Sequence, residues 1–150
     1  MERVSKENYY LDIAQTVAER STCLRRCYGA IIVKDDTIVS TGYNGAPRGR
    51  KNCMDLGYCR REQLQVPRGE RYELCRSVHS EANAIISAPR RDMIGATLYL
   101  AGRDCKTGEL VHDATSCAMC KRHIINAGIA KVIVRRDENN YEIFDVEKDW

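Results

Sequence analysis

A chain of 150 residues, 43% of them hydrophobic, is long enough for one compact core and short for two, so a single domain over residues 1–150 is expected. Its 24 Lys and Arg against 21 Asp and Glu leave a formal net charge of +3; the charges are scattered, which suits a small anionic ligand, and with only 7% aromatic residues they argue against a polynucleotide groove. No run approaches the roughly 20 apolar residues of a membrane helix, and MERVSKENYY lacks the apolar stretch of an export signal. A soluble, cytoplasmic protein is therefore expected, in which the eight cysteines are more often metal ligands or core residues than disulfides.

Tyr10, Ile13, Ala14, Val17 and Ala18 recur at helical spacing, which predicts an amphipathic helix from Asn8 to about Ser21. GAIIVK and TIVSTGY flank Asp35-Asp36 and read as a two-stranded hairpin. From Asn44 to about Arg76 the periodicity stops, in a stretch too rich in Gly, Pro, Arg and Cys for a regular element of any length. Compact domains rarely keep more than about 15 such residues unless something ties them down. SEANAIISA then reads as a helix ended by Pro89, GATLYLAG as a strand, CAMCKRHIINAG as a helix closed by Gly128, and AKVIVRR as a strand. Alternating elements of this kind predict an α/β domain with helices packed on a central sheet.

Two short motifs stand out. His79 and Glu81 lie two apart at a helix start, and Cys117-x-x-Cys120 opens a second helix, where both thiolates can turn to one point. Alone, the first is a core histidine beside a surface glutamate, and the second a redox pair, half a zinc ribbon or coincidence. Together they supply three ligands, which leaves a fourth position on zinc open for catalysis, and a non-ligand carboxylate to move protons.

H-x-E followed by C-x-x-C is the pattern of zinc nucleobase deaminases. The chain resembles the cytidine and deoxycytidylate deaminase superfamily, in particular the deoxycytidylate deaminases and the late-competence type. The resemblance runs over about residues 5 to 136, through Ser21-Thr22-Cys23, GAIIV, GYNGAPRG from Gly42, HSEANAI from His79, and Cys117-x-x-Cys120 with IINAGI from Ile124. It implies a three-layer α/β/α fold with a central mixed sheet of about five strands. It also implies Zn²⁺ on His79, Cys117 and Cys120, and Glu81 as proton shuttle to a zinc-bound hydroxide that attacks C4 of cytosine. Two thiolates, a neutral imidazole and that hydroxide would give the site a net charge of about −1.

By the same resemblance Asn44 and Ser80 contact substrate, Asn44 through the deoxyribose, while Arg48 and Arg90 are candidates for the phosphate and Tyr43 for turn packing or an effector. A second, structural zinc is implied at Cys23 and Cys53, which Cys59 and Cys75 would complete, although C-x₅-C between Cys53 and Cys59 is looser than usual structural spacings. The expected reaction is hydrolysis of dCMP to dUMP, the precursor for thymidylate, by a homo-oligomer, hexamer or dimer. Activation by dCTP with Mg²⁺ and inhibition by dTTP belong to the same family picture. Other cytosine nucleotides, nucleosides or RNA bases are the alternative substrates, and a non-catalytic zinc-stabilised binding module is the alternative of another class.

Two departures from the family pattern bear on the site. Ser116 stands where proline usually precedes the first cysteine, and is expected to cap the helix instead. AGRDCKTGELVHDATS is longer than the usual connection, and predicts an excursion at the pocket rim. Cys27 and Cys105 have no partner by spacing, His112 and His123 read as solvated or packed, and the charge runs at Arg60-Arg61-Glu62 and Arg135 to Glu138 read as solvated surface. YEIFDVEKDW reads either as a closing helix over the base or as packing.

Overall fold

The computed structural model describes all 150 residues. Asp35 and Asp36 both take positive φ, 52° and 58°, the conformation a two-residue type I′ turn requires, so β1 (Arg26–Lys34) doubles back directly into β2 (Thr37–Tyr43). β3 (Thr97–Asp104) pairs antiparallel with the other edge of β1, and β4 (Lys131–Arg135) lies parallel to β3. β5 (Tyr141–Asp145) closes the far edge antiparallel to β4, giving one mixed sheet in the order β2-β1-β3-β4-β5.

Period-two alternation divides the sheet into two buried faces. Ile31, Val33, Tyr99 and Ile133 meet α1 (Lys6–Ala18) on one side, through Tyr10, Leu11 and Ala14. Ala30, Ile32, Leu98, Leu100, Val132 and Val134 face the other way, toward α4 (Ser80–Ile86), α5 (Arg90–Met93) and α6 (Ala118–Ala127). The expected three layers and five strands are both present.

Glycine sets how close the helices come. At Gly29 a Cβ would collide with the Ala14 carbonyl of α1, and at Gly42 with backbone atoms of Ser80 and Ala84 in α4. The glycine that opens GYNGAPRG therefore lets α4 rest directly on β2. Ser40 Oγ donates to the Ala84 carbonyl at 2.7 Å and Asn83 Nδ2 to the Tyr43 carbonyl at 2.8 Å, which fixes α4 along that strand.

Several expectations need correction. The 44–76 stretch contains two single-turn helices, α2 (Cys53–Leu56) and α3 (Arg60–Gln63), and a 3₁₀ turn at Tyr72–Leu74. Arg61 is buried rather than solvated: its guanidinium donates to the Glu70 and Pro67 carbonyls and stacks over Tyr72 at 4.3 Å, acting as an internal tie for that segment. Arg135 is also buried, and joins β4 to Asp12, Gln15 and Asn8 of α1. The C-terminal stretch is the missed fifth strand followed by α7 (Val146–Asp149), with Val146 in the core and Phe144 against Trp150; its role is packing. The 101–116 excursion folds back on β3 through Val111 N–H to the Gly102 carbonyl and Asp104 N–H to the Glu109 carbonyl.

Candidate active site

His79 is the N-cap residue of α4, and Cys117 the N-cap residue of α6. Cys117 Sγ accepts the Cys120 backbone N–H at 3.4 Å, which turns both thiols toward the same helix end. Across the gap His79 Nδ1 stands 3.5 Å from Cys117 Sγ and 3.4 Å from Cys120 Sγ, and all three donor atoms lie within 4.8 Å of one another. The rings of Tyr72 and His79 meet at right angles with their centroids 5.0 Å apart, which restricts the imidazole. Two sulfurs and one imidazole nitrogen converging on a point are a soft donor set suited to tetrahedral zinc, with one position left for water or substrate.

In the absence of metal the three donors share protons that a zinc ion would have to displace. The hydrogen bond from Cys120, reinforced by His79, lowers the Cys117 thiol to about 4. Cys117, and after it Cys75, raise His79 to about 10. Cys120 is pushed up, chiefly because it shares its proton with Cys117.

Glu81 is buried in the first turn of α4, and its Oε1 accepts the Ser80 hydroxyl at 2.9 Å. Ser80 is itself fully buried and lies with Glu81 in the lining of one cleft. Asn44 is also largely committed: Oδ1 accepts from Ser21 Oγ at 2.6 Å and Tyr28 N–H at 2.9 Å, and Nδ2 donates to the Arg26 carbonyl at 2.8 Å. One amide hydrogen remains for a ligand. His79, Glu81, Asn44 and Cys117 line one cleft, together with Tyr28, Leu100 and Thr115 of the folded-back excursion.

The cations of that cleft are Arg25, Arg26, Arg61 and Arg68. Arg48 and Tyr43 instead line a separate cleft with Arg20 and Arg50, and Arg90 reaches from α5 to the Asn126 carbonyl of α6 at 3.4 Å. The structure thus brings neither Arg48 nor Arg90 into the cleft that holds His79 and Glu81. The usable signal was alternation: counting back from Ala30 and Ile32 along β1 puts Arg26 on the site face.

Cys23, Cys59 and Cys75 line the same cleft, while Cys53 is buried at the start of α2. Burial raises Cys23 and Cys53, with smaller contributions from the neighbouring thiols, so the four form one neighbourhood. In Cys75 burial is the largest single influence and pushes the thiol up, but the hydrogen bonds from His79 and the Ser77 backbone, with the charges of His79 and Arg61, together outweigh it and leave the thiol lowered. No three of the four sulfurs converge as the first cluster does, so the expected four-thiolate site is not preformed. Ser116 does not cap α6; its hydroxyl is buried without a protein partner. Cys27 and Cys105, expected to be unpartnered, meet at 2.7 Å between their sulfurs.

Residues 4–136 match the model of the cytidine and deoxycytidylate deaminase zinc-binding region. The chain belongs to this family. It is 36% identical over 141 residues to the deoxycytidylate deaminase of Mycobacterium phage D29, a match covering 91% of this chain and 99% of that one. The deoxycytidylate deaminase of Saccharomyces cerevisiae is 33% identical over 147 residues, and that of Schizosaccharomyces pombe 32% over 139; the chain spans only 42% and 39% of these two yeast proteins. Among solved structures, dCMP deaminase of the cyanophage S-TIM5 matches with a TM-score of 0.59 at 24% identity, over 87% of this chain and 82% of that one. Cytidine deaminase from Burkholderia pseudomallei matches at 0.59 and 15%, over 95% and 94%. Both likenesses place the sheet and its helices in the cytidine-deaminase-like fold.

Proposed function

We propose that one deaminase domain spanning the chain hydrolyses dCMP to dUMP and ammonia. The observation that carries the reading is the convergence of His79, Cys117 and Cys120 beside the buried Glu81, in a cleft with four arginines. The likeness to phage D29 deoxycytidylate deaminase along nearly its whole length directs the choice of substrate.

His79, Cys117 and Cys120 would hold Zn²⁺, which supplies a Lewis acid and a water of lowered pKa at its open position. Glu81, steadied at Oε1 by Ser80, takes the first proton of water and passes it to N3, then carries the second, from the hydroxyl that forms at C4 of the pyrimidine, to the departing amine. Asn44 offers its remaining N–H to the sugar. A panel of dCMP, deoxycytidine and a cytosine-containing RNA oligonucleotide tests the substrate: dCMP is turned over fastest, and equal turnover of deoxycytidine or RNA contradicts the reading.

Three further features belong to the proposal. A second zinc on Cys23, Cys53, Cys59 and Cys75 is supported by their shared neighbourhood, and its binding requires the sulfurs to draw together and order residues 44–76. The cleft of Arg20, Arg48, Arg50 and Tyr43 supports an anionic effector such as dCTP with Mg²⁺, or dTTP. Exposed Ile86, Ile94, Met119 and Ile125 on or beside α4 to α6 support a homo-oligomer, hexamer or dimer. No helix is long and apolar enough to cross a membrane, and a cytoplasmic setting would keep the eight thiols reduced.

A further inference from the structure

Three of the four guanidinium groups in the cleft are already engaged. Arg25 pairs with Glu62 at 2.9 Å and Arg68 with Asp113 at 2.8 Å, while Arg61 directs its donors to the carbonyls of Glu70 and Pro67. Arg26 stands apart. It takes part in none of the ion pairs, and its side-chain hydrogen bond is a long one, 3.5 Å, to the Tyr28 hydroxyl. A partly buried guanidinium that makes no direct ion pair, with Asp104 and Asp113 acting on it only from a distance, carries a desolvation cost that an anionic ligand would offset.

Its position is fixed by the sheet. Alternation along β1 puts Arg26 and Tyr28 on the same face as Ala30 and Ile32, whose side chains lie in the core beneath α4 and α6, the helices that begin at the zinc ligands. Tyr28 pairs with Gly102 of β3, and its ring covers that glycine so closely that a Cβ there would collide with it. The ring is thereby held with its hydroxyl beside Arg26. The hydroxyl accepts from the guanidinium, which leaves its own O–H free to donate. The Arg26 carbonyl is held by Asn44 Nδ2, so the group assigned to the sugar and the free guanidinium belong to one rigid unit.

We propose that Arg26, assisted by the Tyr28 hydroxyl, binds the 5′-phosphate of the substrate and so sets the preference for nucleotide over nucleoside; this rests on the dCMP reading above. The planar fork of N–H groups on arginine matches two phosphate oxygens, and the tyrosine O–H supplies a third donor. Arg25 and Arg68, each neutralised by a carboxylate, add less.

The test is the ratio of kcat/KM for dCMP to that for deoxycytidine, measured on zinc-loaded wild type, Arg26→Gln, Arg26→Lys and Tyr28→Phe, with zinc content and circular dichroism checked for each. The wild-type ratio exceeds one, and Arg26→Gln lowers it about 10- to 150-fold, the range expected for a charged hydrogen bond. Arg26→Lys, which keeps the cation and loses the fork, falls between, and Tyr28→Phe lowers the ratio about 5-fold. If Arg26→Gln loses its fold or zinc, the other two variants decide. An unchanged ratio in the variants, with the wild-type preference intact, overturns the role of Arg26 and leaves the dCMP reading standing. A wild-type ratio near one overturns the substrate reading, and the phosphate site with it.

Discussion

Glu81 and the three zinc donors are positioned by side chains that do not themselves react. The Ser80 hydroxyl has the Glu81 carboxylate as its partner, and Ser80→Ala removes that bond while leaving helix and ligands in place. A net hydrogen bond of about 1 kcal/mol predicts a fall in kcat of about 5-fold with zinc content unchanged. A loss of zinc in this variant would make Ser80 a metal-site residue instead. The donors also predict a pH effect. Below about 10 His79 holds a proton, Cys120 holds one because its pKa is raised, and Cys117 is already a thiolate above about 4. Zinc needs neutral imidazole and two thiolates, so binding to metal-stripped protein at pH 7.5 releases about two protons and zinc affinity rises with pH. Calorimetry in buffers of different ionisation enthalpy reads that number; release of none would contradict the proton sharing among the three donors.

Between residue and fold, the elements that carry the site are placed by close backbone approach. Gly42 allows α4 to touch β2, and Gly42→Ala is predicted to cost about 1–3 kcal/mol through overpacking, seen as a lower urea midpoint together with weaker zinc retention. The helix and strand cores were legible because their periodicities are strong, and the zinc ligands because His79-x-Glu81 and Cys117-x-x-Cys120 are compact motifs at helix starts. β5 was not, since YEIFD is half exposed at a sheet edge and lacks a clean alternation. The small helices of 44–76 were hidden for another reason: their order comes from Arg61, whose ties to Glu70, Pro67 and Tyr72 are tertiary and leave no local pattern. Strand alternation along β1 puts Arg26 on the site face, whereas Arg48 of GYNGAPRG is turned by the fold toward another cleft, which no local pattern in the motif records.

At the scale of the whole molecule, the catalytic cleft lies where α4 and α6 begin over one face of the sheet, roofed by residues from 44–76 and from the 101–116 excursion. The exposed ion pair of Arg68 with Asp113 joins these two segments and contributes at most about 1 kcal/mol, so the roof depends on its internal ties. If the thiols of that roof hold metal, purified protein contains two zinc ions per chain, and Cys59→Ser reduces the count to one; a single zinc in wild type contradicts the second site. The most direct test of the catalytic centre is ultraviolet-monitored turnover of dCMP by zinc-loaded wild type and Glu81→Gln matched for zinc content. The account predicts conversion to dUMP by wild type and a kcat lower by about 10²- to 10⁴-fold in the variant. Absence of conversion by zinc-loaded wild type, or undiminished turnover by Glu81→Gln, would contradict it.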